Sequence, residues 1–273
     1  MHLDNCLVKR IFSFSLQLRR VQWYTFPTIY IWEAIMKTIL VFTYLFFVMI
    51  LSLPLYLVVY LIGKKDRMKM HMVSQKIVCF FLRGIFFLTG SKLTVKGVEN
   101  VPTDEAVLYV GNHRSYYDII VAYLTVPTPT SFVAKKEMLN FPFVKQWMVF
   151  LSCLFLDREN IREGLKTILQ GIEQIKEGYS IFIMPEGTRN KGEDLLPFHE
   201  GSFKLAQKSG CAIIPVAMKN TDDIWEKQFP WMRSANVSIT YGKPIYIKDL
   251  EKEEQKFVGA YVQKIVENML AES

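Results

Sequence analysis

Paired cysteine motifs are missing from this sequence: Cys6, Cys79, Cys153 and Cys211 are widely separated, and none forms a C-x-x-C unit. That spacing argues against both a zinc site and a disulfide framework, and it leaves reduced thiols in a cytosol-facing domain as the expectation. Cys153 and Cys211 stand in apolar runs and read as small core residues. Histidine is equally sparse, and His2, His71, His113 and His199 show no ligand spacing, so no metal site is expected. No G-x-S-x-G stretch occurs, which excludes the nucleophile elbow of α/β-hydrolases. Internal repeats, low-complexity tracts and Gly/Ser linkers are absent as well. One main domain behind an N-terminal segment is the economical division.

Acidic residues are in the minority, with 26 Asp and Glu against 33 Lys and Arg, for a formal net charge of +7. An excess of that sign suits an anionic partner such as a membrane surface or a phosphorylated ligand. A nucleic-acid binder would need a basic stripe interleaved with aromatics, whereas the aromatics here gather in the apolar segment, so no nucleic acid is expected. Hydrophobic residues make up 51% of the chain, enough to bury a substantial core.

Charge disappears entirely from Thr38 to Gly63, a run of 26 residues. As a helix it would measure about 39 Å against a hydrocarbon core of roughly 30 Å, so membrane attachment is the natural expectation. Pro54 lies inside the run, and a straight span competes with two bent half-helices dipping into one leaflet. Lys64, Lys65, Arg67 and Lys69 follow directly and could hold anionic headgroups. The stretch "MKTILVF" from Met36 has the form of a chain start, and translation from there would put the bulk of the protein in the cytoplasm by the positive-inside rule. A cleaved secretory signal fits poorly, because the run is too long and lacks a small-residue cleavage site. The expected organisation is an N-terminal extension over 1–35, a membrane-anchoring helical segment over 36–90 and an α/β domain over 91–273.

Beyond the amphipathic residues 73–90, strand-like and helical patterns alternate. "KLTVKGV" and "AVLYVGN" read as strands and "YYDIIVAYLT" as a helix; "TSFVAKKE" and "LSCLFLD" look extended, with an apolar helix near "FPFVKQWMVF" between them. Residues 160–177 carry an apolar stripe at 3.6-residue spacing. "SIFIMPEG" and "CAIIPVAMKN" read as buried strands around a helix closed by Gly210, while "NVSITYGKPIYI" suggests a strand pair and residues 251–270 one amphipathic helix. The fold class is therefore α/β, with a largely parallel or mixed central sheet flanked by helices.

The segment "GNHRSYYDII" sets His113 five residues ahead of Asp118. Ser115 and Asp118 fit an S-x-x-D capping box, which leaves Asn112 and His113 without a reason. On one straight helix, five residues would place His113 and Asp118 about 140° apart, so they meet only if the histidine lies in the turn before the helix. Asp118 could then bind one imidazole nitrogen while the other takes a proton, and the cap and the acid–base pair are compatible. "MPEGTRN" ends a buried strand with Glu186, Gly187, Thr188 and Arg189; "LFLDR" ends another with Arg158, and "FVAKK" a third with Lys135 and Lys136. Strand carboxyl ends are where open α/β sheets bind ligands, and these cations would make an anion site beside a general base.

Taken together, these stretches resemble the 1-acylglycerol-3-phosphate acyltransferases and their glycerolipid acyltransferase relatives. The family's NHxxxxD motif is matched by Asn112, His113 and Asp118, its arginine-ended strand by "LFLDR", its PEGTR motif by Pro185 to Arg189, and its proline-centred strand by "IIPVAM" at Pro215. Ser152 stands where many members carry glycine. The resemblance implies acyl transfer from acyl-CoA or acyl carrier protein to lysophosphatidate, with no cofactor. In that scheme His113 is the general base, Asp118 its support, and Lys135, Arg158, Glu186, Gly187, Thr188 and Arg189 bind substrate. It further implies a cell-membrane enzyme whose catalytic domain faces the cytoplasm among membrane lipids. An acyltransferase for another lipid acceptor, or an inactive binder of anionic lipid, is the alternative.

Overall fold

The computed structural model describes residues 5–157, 159–192 and 194–272. Its N-terminal part is a helical hairpin. Helix α1 (Asn5–Gly63) continues through Pro54 without a break, and α2 (Arg67–Thr89) returns alongside it. Asp66 starts α2 by accepting the Lys69 N–H at 2.8 Å, and Gly90, at φ 69°, ends it in the left-handed conformation that glycine adopts without strain. Glycines let the two helices approach closely: a side chain at Gly84 would collide with the Tyr44 hydroxyl, and one at Gly63 with Met70. Two stretches, Tyr30–Gly63 and Arg67–Thr89, are long and apolar enough to cross a membrane.

The rest is a seven-stranded mixed sheet. Its strands are β1 (Lys92–Lys96), β2 (Leu108–Gly111), β3 (Thr130–Lys135), β4 (Leu154–Leu156), β5 (Ser180–Ile183), β6 (Ile213–Lys219) and β7 (Asn236–Tyr241), in the order β1-β7-β6-β2-β5-β3-β4. From β6 to β4 all neighbours are parallel, and β7 is antiparallel to β6. The reason lies in the connections. Helices α3 (Tyr117–Thr125), α4 (Pro142–Phe150), α5 (Ile161–Lys176) and α6 (Lys204–Ser209) carry the chain back between parallel strands, whereas β6 reaches β7 through a loop with a single 3-10 turn.

Strands β2 and β5 are buried on both faces, which explains the apolar runs Leu108–Val110 and Ile181–Ile183. Tyr109, Phe182 and Ile214 point to one side, packing with α2 and α3; Leu108, Ile181 and Ile213 point to the other, toward α5, α6 and the C-terminal helix. The late segments depart from expectation. After β7 the pairing shrinks to one bridge between Ile213 and Ile245, because Pro244 supplies no N–H to extend it. The C-terminal helix is split at Phe257 into α7 (Lys252–Lys256) and α8 (Val258–Glu272), where the Glu200 carboxylate takes the Gly259 and Ala260 N–H groups at 3.0 and 3.2 Å.

The hairpin lies along the sheet domain rather than standing off it. Near one end, Thr38 Oγ1 accepts the Met232 N–H at 2.8 Å and the Phe42 ring meets Trp225 at 6.0 Å; near the other, the Tyr56 hydroxyl donates to the Phe143 carbonyl at 2.9 Å. Gln75 of α2 adds bonds to the Thr128 carbonyl and the Thr130 N–H at 3.0 and 2.8 Å. The opposite side of α1 leaves Ile39, Phe46, Phe47, Leu51 and Leu57 exposed.

Candidate active site

The site forms where the carboxyl ends of β2 and β5 meet, at the centre of the parallel strands. β2 runs into Asn112, which is fully buried. Its amide donates to the Met218 carbonyl at 2.9 Å and accepts the Met218 N–H at 2.8 Å, extending the β2–β6 pairing by a side chain and fixing where the turn begins. His113 follows, and both its peptide groups are held by the segment after β5. Its N–H donates to Glu186 Oε1 at 2.7 Å, and its carbonyl accepts the Asn190 N–H at 2.7 Å. The second oxygen of Glu186 takes the Leu196 N–H at 3.0 Å. Glu186 is thus a buried brace for the backbone, and Gly187, at φ 72°, gives the turn behind it a conformation costly for other residues.

Asp118 stands in the first turn of α3. Its Oδ2 accepts from His113 Nδ1 at 2.9 Å and from the N–H groups of Arg114 and Ser115 at 2.7 and 2.8 Å. The Ser115 hydroxyl takes the Tyr117 N–H at 2.9 Å, so one residue pattern serves as helix cap and histidine support together. Asp118 is wholly buried and its Oδ1 has no hydrogen-bond partner among the described residues, while the His113 side chain keeps 18% exposure. A carboxylate facing Nδ1 fixes the proton there and leaves Nε2, which has no protein partner among the described residues, as the basic atom.

The other expected site residues divide. Arg189 bonds not to Glu186 but to Glu226, with Nη1 3.3 Å from Oε1, and its guanidinium lies 3.8 Å over the Tyr116 ring. Thr188 is exposed beside it. Lys135 stands exposed at the end of β3, two strands from β2 and hence about 10 Å away at ordinary strand spacing. It borders a cleft of about 450 Å³ with Lys136, Asn140, Asp157 and Glu159. There the Lys136 ammonium, 2.9 Å from Asp157, holds that carboxyl below the usual carboxylate range. Arg158 lies outside the described residues. Cys153 and Cys211 are buried, which pushes the first thiol up to about 11 and raises the second, so neither offers a thiolate nucleophile.

Two contributors carried no signal in the sequence: Asn190, which could pass for the end of a polar turn, and Glu226, in a segment without a motif. Comparison with known proteins bears on the whole arrangement. A family model described as Acyltransferase matches residues 92–219. The chain is 32% identical over 177 residues to a 1-acyl-sn-glycerol-3-phosphate acyltransferase of Borreliella burgdorferi, covering 65% of this chain and 71% of that protein. An Escherichia coli K12 enzyme of the same name is 32% identical over 186 residues, 68% of this chain and 75% of its own. The crystal structure of the 1-acyl-sn-glycerophosphate acyltransferase from Thermotoga maritima superposes with a TM-score of 0.73 at 25% identity, covering 88% of this chain and 97% of the other. The histidine turn and the PEGTR segment both fall inside the matched residues, and on these similarities the chain belongs to the 1-acyl-sn-glycerol-3-phosphate acyltransferase family of enzymes.

Proposed function

We propose that this enzyme moves an acyl chain from an acyl thioester, on coenzyme A or acyl carrier protein, to the sn-2 hydroxyl of 1-acylglycerol 3-phosphate, forming phosphatidate. The reading is carried by His113, with Nδ1 engaged by the Asp118 carboxylate at 2.9 Å and Nε2 left open. The acceptor hydroxyl gives its proton to Nε2 as its oxygen attacks the thioester carbonyl, and the imidazolium so formed is stabilised by Asp118. When the tetrahedral intermediate collapses, the C–S bond breaks and the proton passes to the departing thiolate. No covalent enzyme intermediate is needed, in keeping with the unreactive buried thiols. Lys135, Arg158 and Arg189 supply cations for the acceptor phosphate, with Gly187 and Thr188 in the loop beside it.

The hairpin bears on where this happens. From Lys37, which bonds Ser234, to Tyr56, its contacts with the sheet domain span 20 residues, about 29 Å of helix, nearly the full thickness of a hydrocarbon core. A hairpin crossing upright would drag the domain into the bilayer, so we read it as lying in one leaflet with its exposed apolar side toward lipid. The cytoplasmic face of the cell membrane is the side where both thioester donors occur.

The test is an acceptor and donor screen with purified enzyme in vesicles, comparing lysophosphatidate, glycerol 3-phosphate and lysophosphatidylcholine, each with acyl-CoA and with acyl carrier protein. Lysophosphatidate should give the highest kcat/KM. A preference for lysophosphatidylcholine would overturn the acceptor assignment.

A further inference from the structure

We propose that Glu226 is a positioning residue for the acid–base turn, acting from outside the NHxxxxD and PEGTR motifs and outside the 92–219 match. Its carboxylate engages the outer side of the same turn that holds Asp118 on its inner side. Oε2 accepts the Ser115 hydroxyl at 2.7 Å, and Oε1 accepts the Tyr116 N–H at 2.8 Å and Arg189 Nη1 at 3.3 Å. One side chain therefore ties the histidine turn, from β2, to the PEGTR segment, from β5.

The carboxylate itself has a firm base. Glu226 opens a 3-10 turn in which the Gln228 N–H bonds the Trp225 carbonyl at 2.9 Å, and Lys227 pairs with Asp222 and Asp223 at 3.1 and 2.8 Å. Trp225 packs against Tyr116 at 5.8 Å and against Phe42 of the hairpin at 6.0 Å. Hydrogen bonds to a charged acceptor are short and directional, so the carboxylate defines the position of residues 115 and 116. Those residues set the Ser115 N–H and the start of α3, on which the Asp118 oxygen depends. A displacement of even 1 Å in such a group lowers turnover without touching the reacting atoms.

This inference rests on the proposed acyl transfer for its kinetic readout, and a second readout does not. Glu226→Ala should lower kcat for lysophosphatidate acylation at least about tenfold, with the donor KM within about threefold of the parent. Glu226→Gln keeps an oxygen for the Tyr116 N–H and should recover most of the lost kcat. The rate of His113 carbethoxylation by diethyl pyrocarbonate, followed by peptide mass spectrometry, should change at least about threefold in the alanine variant and return toward the parent in the glutamine variant. Melting temperature and the folded fraction are measured alongside. An alanine variant with parental kcat per folded molecule and parental His113 reactivity overturns the proposal, whatever its melting temperature. Should that variant fail to fold, Glu226→Asp carries the same test, being one methylene shorter and unable to hold both Ser115 and Tyr116. If the parent does not acylate lysophosphatidate, the functional reading falls, and the His113 reactivity still decides the role of Glu226.

Discussion

Replacing Asp118 with Asn separates the charge of this side chain from its hydrogen bonds. In the folded protein, Oδ2 accepts from Arg114 N–H, Ser115 N–H and His113 Nδ1, so the asparagine carbonyl must occupy that place. The histidine tautomer is thereby kept, and the helix cap with it. The new amide group takes the position of Oδ1, which is buried and has no hydrogen-bond partner among the described residues, so its two donors are orphaned at a cost of about 1–3 kcal/mol. For a chain of this size that is a fall in melting temperature of a few to about ten degrees. Catalysis loses more. An imidazolium whose charge centre lies about 4 Å from the carboxylate gains about 4 kcal/mol at an effective dielectric constant near 20, and forfeiting it costs roughly three orders of magnitude in kcat. The assay is single-turnover acyl transfer to lysophosphatidate at saturating donor, with calorimetry on the same preparation. A folded variant that keeps kcat within tenfold of the parent would refute the role given to the charge.

His113→Ala should lower turnover at least about a hundredfold with vesicle association unchanged, checked by flotation; parental turnover would remove the general base. Arg189→Lys retains the charge but not the planar fork over Tyr116, so the KM for lysophosphatidate should rise several-fold while that for the donor holds; a selective donor defect would move Arg189 to the thioester side. Asn112→Ala leaves both backbone groups of Met218 unpaired in a fully buried place, a loss of about 2–4 kcal/mol read by denaturant unfolding, and a shift below about 1 kcal/mol would contradict the clamp.

What could be read from the chain, and what could not, follows from the range of the interactions. The His113–Asp118 pair and the cap beside it were legible because those contacts span at most five residues and share one local pattern, whereas the bonds of Asn112 to Met218 cross 106 residues and left that side chain without a reason in the sequence. The α/β alternation was legible because buried parallel strands and their crossover helices each have their own period. The reversal of β7 was not, since direction depends on the loop before it failing to form a crossover helix. Glu226 was invisible for a related reason: its bonds to Ser115 and Tyr116 cross 111 and 110 residues, and nothing near it in sequence implies them. Arg189 shows the middle case. Its residue type pointed to an anion, but the pairing with Glu226 instead of neighbouring Glu186 depended on where the backbone had already spent Glu186.

The hairpin's proposed place in one leaflet has a consequence for how this enzyme's kinetics must be expressed. If the exposed side of α1 lies in lipid as proposed, Trp225, which links Phe42 to Tyr116, puts the histidine turn at a boundary between two phases. The acceptor would then arrive by lateral diffusion in a sheet of lipid and the thioester from bulk water. Rate should depend on the mole fraction of lysophosphatidate in the vesicle and not on its molar concentration. Diluting the acceptor with inert phospholipid at constant total acceptor should slow turnover, whereas adding more vesicles of the same composition should leave turnover per bound enzyme unaltered.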